Sequence, residues 1–350
     1  MPDAAPAIVF DQVSVVFGKR PEQALPYMDK GLSRREVSEA TGQILGVHDC
    51  SLTVQKGEIL VLMGLSGSGK STLLRAVNGL NPVTRGQLSL HSETSIIDVA
   101  GAGGQTLQHL RRHHVAMVFQ QFGLLPWRTV RANIGLGLEL AGIRGEDRDQ
   151  RISAQLELVG LTDRAEAKVS ELSGGMQQRV GLARAYATSA PVLLMDEPFS
   201  ALDPLIRTHL QDELIEHQRK LNCSIVFVSH DLEEAFKLGN RIAIMDEGRI
   251  VQTGTPRQIF HQPSTDYVQR FVAQINPLQV LTAEDILACS QLSAGRHAPS
   301  LSRDINTPAS VIMSLMHEHD GPISITREDK AIGQIDKDAL LFCLASYNRK

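Results

Sequence analysis

The stretch GLSGSGKST, Gly64 to Thr72, follows the apolar run ILVLM and holds three glycines, three serines and one lysine. Its spacing fits G-x-x-x-x-G-K-[ST], in which backbone N–H groups wrap a phosphate because glycine allows close approach and unusual dihedrals. In that chemistry Gly64, Ser66, Gly67, Ser68 and Gly69 form the cradle, Lys70 reaches the β and γ phosphates, and Ser71, just ahead of Thr72, ligates Mg²⁺. A glycine-rich turn without a catalytic role has the same spacing, so other residues must decide. In VLLMDEP, a buried strand would deliver Asp196 to the metal, through water, and Glu197 to the attacking water as a base. A lone Asp-Glu pair also suits a solvated strand end, a reading the phosphate loop upstream weakens. His230, closing VFVSHD, could contact the γ phosphate and orient that water, or serve as a hydrogen-bonded structural residue. Ser173, Gly174 and Gly175 stand ahead of a long helical run and predict a second helix N-terminus with exposed donors. A plain N-cap explains the serine without requiring the two glycines.

Three apolar runs, ILVLM, VLLM and SIVFVS, end in polar residues and alternate with helical segments. That pattern predicts an α/β fold whose parallel strands are buried on both faces, with the three endings sharing one site at the strands' carboxyl ends. From Phe122 to Ala190 the pattern is helical, which predicts a helical subdomain within a sheet domain; RIAIMDEGRIVQTG reads as a hairpin turning at Asp246 to Gly248. An earlier helical insertion, about residues 20 to 44, interrupts strand-like sequence. Ser33 and Glu36 have capping-box spacing there and Gly42 can stop the helix, and the segment reads as a surface elaboration with no chemistry. Beyond the domain at 1 to 275, a Ser/Ala/Pro-rich linker is expected over 276 to 307, then a small α/β unit over 308 to 350.

With 350 residues and 42% hydrophobic content the chain can bury a sizeable core. Its 35 basic against 39 acidic residues, a formal charge of −4, offer nucleic acid no global field, and no nucleic-acid partner is expected. No apolar run approaches the roughly 18 to 20 residues that cross a bilayer. Cys50, Cys223, Cys289 and Cys343 are scattered without a C-x-x-C pair, and no basic-then-apolar leader opens the sequence, so reduced cytosolic thiols are expected.

Over roughly residues 8 to 275 the chain resembles the ATP-binding cassette (ABC) family, because the motifs occur in that family's order. The resemblance implies a P-loop NTPase fold of the ABC type with a mixed sheet core and an inserted helical subdomain. It makes Gly64 to Thr72 the Walker A loop, Gln120 in VFQQF the Q-loop residue and a Mg²⁺ ligand, Ser173 to Gly175 the signature, and Asp196 with Glu197 the Walker B pair. Ser200 to Asp203 match the D-loop, with Asp203 its acidic member, and His230 matches the switch histidine. Phe17 falls where the family stacks an aromatic ring on adenine, although a core phenylalanine is an alternative. Met176 departs from the glutamine of the commonest signature; the serine and backbone donors remain.

The resemblance also implies ATP and Mg²⁺ as cofactors and a homodimer in which each signature completes the other copy's phosphate site. It implies a membrane permease as partner, an extracytoplasmic binding protein reached through it, and a peripheral place on the cytoplasmic face of the plasma membrane. Phe122, Leu124, Leu125 and Trp127 lie where transporter cassettes receive the permease, though burial suits the two leucines equally well. The insertion, LSGGMQQRVGLARA and FSALDPLIR resemble the importers of quaternary ammonium compounds, glycine betaine, choline and proline betaine; LLPWRTV with QINPLQVL looks closest to the choline-uptake members. The tail resembles at most one CBS module, as either a regulatory unit or a dimer-stabilising appendage. A soluble ABC ATPase acting on nucleic acid or ribosomes is the competing reading, and a nucleotide-binding regulator a third.

Overall fold

The computed structural model describes residues 5–92, 95–120, 123–200, 202–289, 301–319 and 321–347. The chain divides into two compact units, Met1–His230 with Leu238–Thr253, and Asp231–Lys237 with Gly254–Lys350. Among the described residues, ten strands precede the tail: β1 (Pro6–Phe17), β2 (Ile44–Gln55), β3 (Ile59–Met63), β4 (Arg85–His91), β5 (Ile96–Asp98), β6 (Val115–Val118), β7 (Val192–Asp196), β8 (Ser224–Val228), β9 (Arg241–Asp246) and β10 (Arg249–Gly254).

Six of them form one sheet in the order β10-β9-β3-β8-β7-β6, with parallel pairing from β9 through to β6. Every residue of β3, β7 and β8 is buried, which is why their sequences run continuously apolar instead of alternating. The register decides function: Leu62 and Asp196 both pair with Val228. Gly64, Glu197 and His230 therefore leave the sheet at one edge, one or two residues beyond those partners.

A second, antiparallel sheet runs β2-β1-β4-β5. Between the two sheets sits the Lys70–Val77 helix, whose Leu73, Leu74 and Val77 join Val13, Leu52, Leu62 and Val226 in a single core. The mixed architecture thus fixes the lysine-bearing helix from both sides. Between β1 and β2 the insertion folds as short helices, Pro21–Ala24, Leu25–Asp29 and Arg34–Thr41. The last begins with a complete capping box from Ser33 and Glu36 and ends at Gly42, whose φ of +69° suits a residue without Cβ. Ala24, Met28 and Val37 pack on Val16 and Leu45, so the insertion has a small core of its own.

Between β6 and β7 the described residues are helical, at Val130–Ile134, Leu136–Leu140, Gly145–Leu158 and Gly174–Ala187, around buried Val130, Ile134, Leu138, Ile152, Leu156 and Val180. Phe122 lies outside the described residues.

The second unit carries β11 (Leu301–Asp304), β12 (Ile323–Arg327) and β13 (Lys330–Ile335), with β11 parallel and β13 antiparallel to β12. Its organisation departs from the expected boundaries. Residues 276 to 307 are not simply a linker: Ala283–Cys289 is a helix whose Ala283 and Ile286 lie in the same core as Ile312, Ile325 and Leu340, and β11 is part of the sheet. The helices Pro256–His261 and Asp266–Val272 also fall in this unit, so the first unit ends at Thr253 and not near residue 275. A four-residue strand inside Ser- and Ala-rich sequence leaves little periodicity to read; residues 290 to 300 lie outside the described residues.

Candidate nucleotide-binding site

The three strand ends meet at a cleft of about 540 Å³ lined by Phe17, Ser66, Gly67, Gly69, Lys70, Ser71, Thr72, Gln120, Glu197 and His230. It also takes in Arg34, Ile44, Leu45 and Gly46, none of which was expected there. The loop from Gly64 to Gly69 leaves the end of β3 and packs against the end of β9, where Gly248 N–H donates to the Ser68 carbonyl at 3.0 Å. A Cβ on Gly64 would lie 2.1 Å from the Met245 carbonyl oxygen, and its φ is +142°, so no other residue fits. Gly69 caps the Lys70–Val77 helix at φ +103° without a side-chain bond, leaving the helix's first donors open toward the cleft. Ser68 is buried, with its N–H on the Leu65 carbonyl at 3.1 Å, and is an internal part of the loop.

Lys70 is buried and its ammonium donates to the Gly64 and Leu65 carbonyls at 2.8 and 3.0 Å. Burial pulls its pKa below the usual lysine value, against the opposing pull of the Glu197 and Asp196 carboxylates. The cation is held by weak neutral acceptors that an anion can displace. Ser71 Oγ donates to Asp196 Oδ1 at 2.7 Å, while Arg75 Nη2 holds Oδ2 at 2.8 Å. Asp196 has no exposed surface, so these bonds are what make its burial tolerable.

Glu197 follows immediately, at φ +50°, a left-handed conformation that costs a non-glycine residue about 1 kcal/mol. Its N–H is tied to the Val228 carbonyl at 3.1 Å, and its Oε2 accepts from Gln120 Nε2 at 2.9 Å and faces His230 Nδ1 at 3.5 Å. The turn points this carboxylate into the cleft while Asp196 stays inside. Phe17 ends β1 at the cleft's far edge with 37% of its surface exposed, which fits a ring waiting for a planar partner better than a core residue.

The Ser71 hydroxyl, the Asp196 carboxylate and the Gln120 amide are hard oxygen donors of the kind Mg²⁺ selects. Among the described residues no group of three His, Cys, Asp or Glu could hold a metal alone. Phosphate oxygens and water would therefore have to complete the shell, as is usual for this ion.

Ser173, Gly174, Gly175 and Asp203 are not part of this cleft. Ser173 caps the Gly174–Ala187 helix, its Oγ accepting from Met176 N at 3.4 Å, and Ser173 and Gly174 are exposed. Met176 is half-buried against the helical core, so an apolar side chain is accommodated where glutamine is commoner. Asp203 stands exposed at the start of the Pro204–Leu221 helix, and Ala201 of the D-loop lies outside the described residues.

A family model described as ABC transporter matches residues 47–200. The glycine betaine/proline betaine transport system ATP-binding protein ProV of Salmonella typhimurium is 45% identical over 94% of this chain and 80% of its own. The chain belongs to the ABC transporter ATPases. Further similar proteins are the glycine betaine/carnitine transport ATP-binding protein GbuA of Listeria monocytogenes, 42% identical over 80% of this chain and 70% of its own, and the trimethylamine N-oxide transport system ATP-binding protein TmoW of Ruegeria pomeroyi, 39% identical over 96% of both. Among solved structures, the post-hydrolysis dimer of the ATP-binding cassette MJ0796 bound to ADP and Pi superposes with a TM-score of 0.61 at 28% identity, covering 71% of this chain and 99% of that one. This ABC ATPase therefore binds and hydrolyses ATP with Mg²⁺.

Three residues of the ATPase escaped sequence reasoning. Arg34 enters the cleft from the insertion, Arg75 holds Asp196, and fully buried Gln178, on the signature helix, donates to the Pro198 carbonyl beside Glu197. Arg75 lies four residues after Ser71 and Gln178 four after Gly174, so each shares a helix face with a motif residue, a signal available once those helices are placed. Arg34 had a different signal: Arg34 and Arg35 occupy a helix's first turn, where the macrodipole disfavours cations.

Proposed function

We propose that the chain works as a homodimer that powers import of a solute bearing a methylated quaternary nitrogen, through a membrane permease and an extracytoplasmic binding protein. The observation that carries the dimer is the separation just described. One face of the phosphate site has Lys70, Ser71, Asp196 and Glu197, while a second helix N-terminus, at Ser173 to Gly175 with Ser173 and Gly174 exposed, lies outside that cleft. Two copies related by a twofold axis each bring that helix to the other's γ phosphate.

In this arrangement Lys70 leaves the two loop carbonyls to neutralise phosphate charge, and the helix N-terminus behind it supplies backbone donors. Mg²⁺, when bound, offsets phosphate charge beside Ser71, Asp196 and Gln120. Glu197 takes the proton of the attacking water; Gln120 and His230 keep its carboxylate turned toward the phosphate. Phe17 stacks on the base.

A 280 Å³ groove lined by Leu80, Met117, Phe119, Gly123, Leu136 and Leu140 opens close in sequence to Gln120, and Leu80 and Leu140 are exposed. Trp127 is 71% exposed. Apolar surface of this kind suits the cytoplasmic helix of a permease, which would hold the protein peripherally at the membrane, and among the described residues no helix is long and apolar enough to cross one. The similar proteins are named for glycine betaine, proline betaine, carnitine and trimethylamine N-oxide, solutes sharing a methylated nitrogen with no free N–H. Choline has the same group and belongs to the class proposed. Reconstitution with the permease and binding protein of one transport system, and comparison of ATPase stimulation by choline, glycine betaine, proline betaine and trimethylamine N-oxide, tests the reading. Stimulation by at least one is expected; a system indifferent to all four, or a chain that co-purifies with ribosomes instead of a permease, would overturn it.

A further inference from the structure

The helical insertion between β1 and β2 reaches the phosphate loop. Arg34 Nη1 donates to the Gly67 carbonyl, in the loop, and Nη2 donates to the Gly46 carbonyl, in β2. The peptide joining Gly67 to Ser68 is thereby held at both ends, because its N–H already bonds Leu65 O at 3.1 Å. The guanidinium lies in a slot that glycine leaves open: a Cβ on Gly248 would lie 2.8 Å from Nη2, and one on Gly69 3.2 Å from it. Burial lowers the Arg34 pKa, with Glu247 and Asp246 pulling the other way, and Nε is buried with no partner. This is a costly position for a cation. Its place in the first turn of its helix costs more, since the macrodipole opposes it. The Arg34–Thr41 helix is itself anchored by Val37 in the insertion's own core, so the guanidinium is aimed by packing.

We propose that Arg34 is a positioning residue of the ATP site: it clamps the phosphate loop to β2 before nucleotide arrives, and through it the insertion sets nucleotide affinity. The inference rests on reading the cleft as the ATP site and adds to it an element outside the motifs. A loop with glycines at 64, 67 and 69 loses much backbone freedom when it wraps a phosphate. Holding one of its peptides in advance removes part of that loss at the binding step. A cation at the cleft's edge also favours a polyanion. Glu197, Gln120 and His230 do not touch Arg34 in any bond described above, so the chemical step stays intact once nucleotide is bound.

The test compares Arg34→Ala and Arg34→Lys with Arg35→Ala, a neighbour on the same helix that pairs with Glu39 in solvent. Affinity for ATP without Mg²⁺, KM and kcat for ATP hydrolysis, and the nucleotide-free melting temperature are measured on the full chain. R34A is expected to raise Kd and KM by about tenfold with kcat within about threefold. R34K, which keeps the charge but loses the guanidinium's rigid fork of donors, should recover part of the affinity; R35A should match wild type in every readout. A folded R34A or R34K with wild-type Kd overturns the inference, as does an R35A that weakens binding equally. Should R34A fail to fold, R34K decides alone, since it retains the stem and the charge. Wild-type protein that binds no ATP would sink the site reading itself, whereas wild-type binding with an unaffected R34A sinks only the clamp.

Discussion

Replacing Glu197 by glutamine isolates one atom's chemistry. The substitution keeps volume and reach, and the backbone that matters is fixed elsewhere: the φ of +50° and the N–H bond to Val228 O belong to the turn and not to the carboxylate. Gln120 Nε2 can still donate to an amide oxygen at the position of Oε2, and the Lys70 and Ser71 contacts are untouched. Glutamine, however, cannot take a proton from water. A positioned general base is worth about 10² to 10⁴ in rate, so kcat should fall at least about 100-fold, or about 2.7 kcal/mol of barrier, with ATP affinity within a factor of about three. Steady-state phosphate release gives kcat, equilibrium titration gives Kd, and size exclusion with ATP follows the dimer. Because the γ phosphate persists, E197Q should elute as a dimer with ATP where wild type does so only transiently. Hydrolysis within threefold of wild type would refute the assignment of Glu197 as base. A fall in rate matched by an equal loss of ATP affinity would show that the carboxylate serves binding alone.

Ser173→Arg should leave ATP binding to single copies intact while abolishing ATP-driven dimerisation in sedimentation, because the bulk and charge enter the other copy's site. Unchanged dimerisation would contradict the trans arrangement. Gly64→Ala should lower the stability of the first unit by about 2 kcal/mol or more in urea, since its Cβ meets backbone at 2.1 Å and the φ is forbidden to alanine; a wild-type denaturation midpoint would show that the loop relaxes freely. In the second unit, burial would raise the Asp285 pKa, but bonds from His261, the Thr282 backbone and Arg257 hold it well below its ordinary value of 3.8. A depressed folded value means that this stabilisation is fully present above that ordinary value and is lost as pH falls below it, so the unit's melting temperature should drop on acidification through pH 4. Asp285→Asn should flatten that dependence and cost about 2 kcal/mol at pH 7.

What was legible followed from spacing. The phosphate loop, the Asp196–Glu197 pair and His230 could be placed together from sequence because each sits at the end of a doubly buried strand, and a run such as ILVLM or VLLM announces both the strand and its exit. The register that aligns those exits is a consequence of parallel pairing, so one site could be anticipated from three separate stretches. Arg34 was hidden because its partners are backbone carbonyls, which carry no residue signature, and because the insertion looked self-contained, with a capping box and a stop glycine. The C-terminal boundaries were misplaced for another reason. The helices Pro256–His261 and Ala283–Cys289 are six and seven residues long, too short for a periodicity to assign them to one core or another, and only their packing partners do so.

The signature helix carries a further consequence of the proposed dimer. Its N-terminus, Ser173 to Gly175, would face the partner's nucleotide, while a turn later Gln178 holds the Pro198 carbonyl, next to Glu197 of its own site. Gln178 is fully buried, so moving the helix without moving that carbonyl would leave a polar group unpaired at a cost of about 1 to 3 kcal/mol. Engagement of one nucleotide by the helix is therefore felt at the base that serves the other. By symmetry the same link runs back, and the two sites should close together. A coupling of that size is enough to make hydrolysis at either site respond to occupancy of both, which the proposed pairing of two copies on one permease requires.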